Sequence, residues 1–316
     1  MKHNIIIVTV GLALAAMLSA VPAQAQLQHT FVSSKGSDAN NCSLAAPCRH
    51  LQTALAATLA GGEILILDSA GYNNATTVTI NKAISIVAPP GIEAEIAPPS
   101  GGHGIAINAG ANDAVSLRGL TIDGAGVGGH GIAFISGKSL TINNCVVRNM
   151  GSSGIGMSPS TDSKIVVSNT VVADNANHGI YVQPIGQHIV SALFNHVEAY
   201  NNGGVGIGVY GNFLDAGYHV EAKAINSAVA YNGTAGFLSY GGGSARGQIV
   251  FYVYHSSSFG NVDVNNLGTG MRAENFATMF IGQSDSDSWS WDSTSLQVTF
   301  GDNDVNSPAG IIIPRN

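Results

Sequence analysis

Four stretches of the chain carry the same short phrase: Gly102-His103-Gly104-Ile105-Ala106-Ile107, Gly129-His130-Gly131-Ile132-Ala133-Phe134, Ser152-Ser153-Gly154-Ile155-Gly156-Met157 and Asn177-His178-Gly179-Ile180-Tyr181-Val182. Looser copies follow at Gly206-Ile207-Gly208-Val209, Gly236-Phe237-Leu238-Ser239 and Gly270-Met271-Arg272-Ala273. The key glycines are spaced by 27, 23, 25, 27, 30 and 34 residues, a period that signals stacked units. A second repeated unit lies between them, at residues 140–149 and 165–175, and its sense returns at 195–202 and 226–232. Apolar residues alternate in short runs, and Gly, Asn or Asp closes each run. Every period therefore encodes about three short strands and three turns.

One such coil cannot bury its own apolar side chains. Coils stacked at the sheet spacing of about 4.8 Å bury every inward residue and pair the backbone of each layer with the next. The glycine before each isoleucine suits a corner that needs positive φ or close backbone approach. Asn149, Asp174, Asn201 and Asn232 read as side chains stacked at an equivalent turn. These Gly-Ile-x-apolar and Asn-x-Val units resemble the parallel β-helix repeats of the pectin-lyase-like superfamily over about residues 63–303. The stretch Phe31 to Asp38 with Pro47-Cys48-Arg49, and the closing Phe300-Gly301-Asp302-Asn303, are similar to the ends of secreted bacterial β-helix proteins. The resemblance implies an all-β, right-handed parallel β-helix solenoid with a short N-terminal capping helix.

The rest of the chain sets organisation and address. Lys2 and His3 precede an apolar run from Ile5 to Val21 and an Ala23-Gln24-Ala25 site, a secretory signal over residues 1–25. The mature chain then starts at Gln26 in a secreted or periplasmic compartment, with no later membrane span expected. Cys42 and Cys48 flank a short loop and pair as a disulfide in an oxidising compartment, whereas Cys145, in a strand-like run, reads as a buried apolar thiol. Leu51, Ala54, Leu55 and Leu59 fall on one helical face and form an amphipathic cap. This divides the chain into a signal, an N-terminal cap at 26–62 and a solenoid with its C-terminal cap at 63–316. The balance of 12 basic to 19 acidic residues, with 10% charged overall, gives nucleic acid no electrostatic footing. The oligomeric state stays open.

With the isoleucines inward, alternation puts Ala106, Ala133, Gly156, Tyr181, Gly208, Leu238 and Arg272 outward, followed two residues on by Asn108, Ile135, Ser158, Gln183, Tyr210, Tyr240 and Glu274. In the polysaccharide-processing members of the family this face carries the sugar chain. Tyr181, Tyr210 and Tyr240 offer faces for pyranose rings, and Gln183 and Asn108 offer hydrogen bonds. The alternative is that the tyrosines simply fill an exposed sheet. Connections lengthen at residues 184–187, 211–218 and 241–247, as cleft walls would.

Catalytic signals are thinner. Arg272 and Glu274 are the only charged residues on the two outward rows, and Asp162, Asp215 and Arg246 could join them from loops. The acidic cluster typical of pectinases is not matched. His103, His130 and His178 recur at one corner with Ser153 interrupting them, a pattern better suited to backbone hydrogen bonding than to a metal. Asp285 and Asp287 share a face that could hold calcium, but no EF-type spacing supports it and no cofactor is expected. Trp289 and Trp291 share a face in the last coil and suit core packing. Residues 124–129 satisfy G-x-G-x-x-G, yet a strand follows where a dinucleotide site needs a helix. The expected partner is a polysaccharide or glycan surface. A lyase, epimerase or glycosidase, or a structural envelope protein, are the alternatives.

Overall fold

The computed structural model describes residues 26–242, 248–262, 269–286, 288–291, 295–300, 304–305 and 311–313. Residues 1–25, read from the sequence as a secretory signal, and Arg246, Asp287, Asp302 and Asn303 lie outside them. Each repeat phrase becomes one short strand, and the strands stack in parallel. From Val78–Ile80 the nine-stranded sheet runs through Ile105–Asn108, Ile132–Ser136, Ile155–Met157, Ile180–Val182, Val205–Tyr210, Ala235–Tyr240 and Met271–Glu274 to Trp289–Trp291. Among the described residues the remaining 20 strands form a second sheet of two columns, fused where Ser163–Ala173 and Val190–Tyr200 run through the bend unbroken.

Register follows the repeat. Ile105, Ile132, Ile155, Ile180, Ile207, Phe237 and Met271 sit directly above one another, and all seven are fully buried. Burying a side chain of this size stabilises the fold by about 1.5–3 kcal/mol, and the column is one of several that together fill the core. The same register sets Trp289 opposite Met271 and Trp291 opposite Ala273.

The corner glycines Gly104, Gly131, Gly154, Gly179, Gly206 and Gly236 have ordinary φ; close approach is what requires them. A Cβ at Gly179 would lie 2.6 Å from the Gly206 carbonyl oxygen, and one at Gly104 equally close to that of Gly131. Positive φ belongs to a different corner residue, Asn149, Asp174, Asn201 and Tyr231. Asn232 therefore leaves the series assigned to it. It belongs one residue further on, in a buried ladder of Asn175, Asn202, Asn232 and Asn261 whose amides donate to one another at 2.8, 2.9 and 2.9 Å. Each of the last three also accepts the backbone N–H of the layer before it. The left-handed residue turns the chain so that its successor points inward, which is why the two columns differ by one position.

At the N-terminal end the helix Leu51–Ala57 buries Leu51, Ala54 and Leu55 over the first coil. Leu59 does not share that face. The chain turns extended at Thr58, whose hydroxyl donates to Ala54 O at 2.6 Å and meets that of Thr30 at 2.8 Å. Leu59 thus falls in the strand Thr58–Ile66 and is 40% exposed. Leu27–Val32 pairs in parallel with that strand, so stacking begins ahead of residue 63. Cys42 and Cys48 are disulfide-bonded with Cα atoms 4.6 Å apart, and Cys145 is free and buried. No helix among the described residues is long and apolar enough to cross a membrane.

Candidate functional site

Strand register keeps the first outward row as Ala106, Ala133, Gly156, Tyr181, Gly208, Leu238 and Arg272. The second row holds at Tyr210, Tyr240 and Glu274, which are adjacent rung by rung. It breaks at Ile135. An irregularity after Phe134 pairs Asn108 with Ser136 instead, whose hydroxyl donates to Asn108 Oδ1 at 2.8 Å, and Ile135 is left exposed. Strands end at Met157 and Val182, so Ser158 and Gln183 follow their strands rather than lie within them.

The tyrosines do not stand out from the sheet. A Cβ at Gly156 would lie 2.8 Å from the Tyr181 hydroxyl, and one at Gly208 would lie 2.6 Å from the ring of Tyr210. The glycines are floor under the rings. Tyr210 and Tyr240, with ring centroids 6.0 Å apart, cover a small apolar cluster of Val205, Ala235 and Leu238. Burial pushes the Tyr210 phenol well above its ordinary pKa, so it stays protonated.

The histidine corner joins this row. His103 and His130 stack with centroids 5.2 Å apart and planes within 1°. His130 meets Tyr181 edge to face, Tyr181 meets His178, and His178 meets Tyr210, at 5.7, 5.9 and 5.8 Å. Six rings thereby form one connected series from His103 to Tyr240. His103 Nδ1 accepts the His130 N–H at 3.1 Å and His178 Nδ1 accepts the Val205 N–H at 3.0 Å, which puts the proton of each neutral ring on Nε2. This is the backbone role foreseen for the corner.

His130 is the exception, because the next layer carries Ser153 at that corner. His130 Nδ1 and Ser153 Oγ are both buried and both lack a hydrogen-bond partner. An unmet buried polar group costs about 1–3 kcal/mol. His130 Nε2 lies 3.3 Å from the Tyr181 hydroxyl, two coils away. Burial lowers the pKa of all three histidines; the neighbouring His103 lowers that of His130 further, against the Ser153 main chain, and His130 adds to the effect on His178.

A cavity of about 220 Å³ opens here, lined by His130, Ser153, Asn177, His178, Tyr181, Gln183 and Tyr210. Its origin is local. The coil around Ile155 carries a serine where its neighbours have histidine, and Gly156 where they have alanine or tyrosine. One wall is the connection after Val182, whose Gly186 exchanges backbone hydrogen bonds with Phe213 and Asp215 at 2.9 and 3.1 Å. Gln183 Nε2 donates to Asn212 Oδ1 at 2.7 Å and ties the same two loops.

The candidate catalytic residues lie elsewhere. Arg272 Nε donates to Glu274 Oε1 at 2.7 Å, with a second contact through Nη2, on one strand two coils beyond Tyr210. Asp162 accepts the Ile189 N–H at 2.9 Å, faces His188, and lines a different cavity with Lys138 and Lys164. Asp215 is exposed on the 211–218 loop, and Asp285 is exposed near the C-terminal end. Among the described residues no group of three or more His, Cys, Asp or Glu is arranged to hold a metal.

Sequence reasoning placed Tyr181, Gln183 and Tyr210 on this face but missed Asn177 and the partnership of Tyr181 with His130. The available signal was the coincidence of Ser153 and Gly156 in one coil.

The family described as right handed beta helix region matches residues 73–250, more than half of the chain, and the chain belongs to it. It is a right-handed parallel β-helix. Among solved structures it is similar to pectate lyase Pel9A, at 17% identity and a TM-score of 0.63, covering 92% of this chain and 78% of that one. XylC in complex with xylose gives 9% identity and 0.64, covering 88% and 70%. The GH136 lacto-N-biosidase of Eubacterium ramulus gives 12% and 0.52, covering 91% and 67%. No curated protein sequence matches the chain.

Proposed function

We propose that the protein is an exported polysaccharide-binding β-helix that holds a glycan along its first-strand face, between the ring series and the loops after Val182 and Tyr210. The observation that carries this reading is the cavity beside Tyr181 and Tyr210, where stacking surfaces and hydrogen-bonding groups converge. Sugar rings present C–H faces that pack on aromatic rings and hydroxyls that need polar partners. Tyr181, Tyr210 and Tyr240 supply the first, and Gln183, Asn177 and His178 the second. The similar β-helices above include a pectate lyase, a protein holding xylose and a lacto-N-biosidase, which favours a saccharide over other ligands. The leader at residues 1–25 supports export.

Binding to a glycan array, followed by titration calorimetry on the hits, tests the reading. Tyr210→Ala and Tyr240→Ala are each expected to weaken binding about tenfold, the equivalent of ~1.4 kcal/mol, and Tyr210→Phe to retain most of it. Failure of the wild type to bind any neutral or acidic glycan overturns the proposal.

A further inference from the structure

We infer that the cavity takes one neutral, hydroxyl-bearing sugar unit and rejects the corresponding uronic acid, an inference that rests on the glycan-binding reading of this face. The lining is two imidazoles, two carboxamides, a serine and two phenols, with no carboxylate, ammonium or guanidinium among them. Burial keeps His130 and His178 in their neutral forms near pH 7. A sugar carboxylate entering this site would give up its water with no lining cation to replace it. The guanidinium of Arg272, two coils beyond Tyr210, is engaged by Glu274. The formal charge of -7 over the whole chain repels a polyuronate at longer range.

The hydrogen-bonding demand of the site leads to the same ligand. If the Tyr181 hydroxyl donates to His130 Nε2, then Nδ1 carries the proton and needs an acceptor. If His130 Nε2 donates to Tyr181, Nδ1 needs a donor. Ser153 Oγ can act either way, and it is fully buried with no partner. A hydroxyl both donates and accepts, so it satisfies either tautomer. A C6 carboxylate in the place of a C6 hydroxyl only accepts and serves one of them. The size agrees, since about 220 Å³ lies below the roughly 300 Å³ at which sites for larger ligands begin.

Calorimetry at pH 7.5 with matched oligosaccharide pairs that differ only in oxidation at C6 tests the inference: galactosides against galacturonides, glucosides against glucuronides, and mannosides against mannuronates. In the pair that binds, the neutral member is expected to bind at least tenfold more tightly. Ser153→Ala is expected to weaken the neutral member several-fold and to melt no lower than wild type, because it deletes an unpaired buried hydroxyl. Equal or tighter binding of the acidic member overturns the inference, as does an unchanged neutral-to-acidic ratio in Ser153→Ala. If acidic oligosaccharides bind and Tyr210→Ala abolishes this, the face is a glycan site and only the neutral selectivity is wrong. If no pair binds at all, both readings fall.

Discussion

The imidazole of His130 lies flat on that of His103 and its own backbone N–H donates to the Nδ1 beneath it, so one residue caps its predecessor through ring and main chain together. On balance protonation is disfavoured at both rings. A proton on His103 Nδ1 would abolish the bond, and a charge on either ring would face its neighbour. Acid therefore works against this corner.

The consequence is a pH dependence with a definite sign. The folded pKa values of His103, His130 and His178 lie below the ordinary 6.5, so the unfolded chain binds protons first as pH falls. Their stabilising contribution is complete above about pH 6.5 and is lost as pH drops through that value toward the folded pKa values. Thermal unfolding at pH 7.5 and 5.5 should show a smaller loss of Tm in His130→Gln than in wild type. A larger loss in the variant contradicts the assignment.

Gly179→Ala should destabilise the protein by about 1–3 kcal/mol, because the added Cβ meets backbone that cannot move without shifting the whole layer. Gly71→Ala meets nothing within 4 Å at an ordinary φ, and should change stability by less than about 0.5 kcal/mol. Urea unfolding of both variants measures the contrast.

Asn202 accepts from Asn175 and donates to Asn232 Oδ1 and Val172 O, all within the core. Asn202→Ala leaves partners on both sides unmet and should cost about 2–4 kcal/mol. Asn202→Asp, which adds a buried charge, should cost more. Chemical denaturation that ranks the two variants the other way would refute the account of the ladder.

Cys145 is buried, and burial pushes its thiol up to about 11. The native protein should resist thiol reagents at pH 8 and react with one equivalent only after unfolding, provided the Cys42–Cys48 disulfide stays intact. Rapid labelling of the native protein would contradict this.

Which parts of this were legible in the sequence follows from the range of the interactions involved. The inward isoleucines and corner glycines repeat because each contacts its counterpart one period away, and a contact between equivalent positions leaves a periodic mark. Leu59 misled because a helical pattern continues past Ala57, whereas Thr58, β-branched and bonded across to Thr30, turns the chain extended. Asn232 misled because Tyr231 occupies the left-handed corner without the asparagine that marks it elsewhere.

The amino-acid sequence by itself determined the solenoid, its inward column and the face on which three tyrosines gather, because stacking equivalent positions is the one way for such short strands to bury their apolar side chains. Only the tertiary structure decided where the cavity lies. Ser153 and Gly156 are small in the same coil, and Tyr181 leans back over Gly156 toward His130, 51 residues earlier in the chain. That contact joins non-equivalent positions, and side-chain direction across a missing side chain is settled by packing rather than by period.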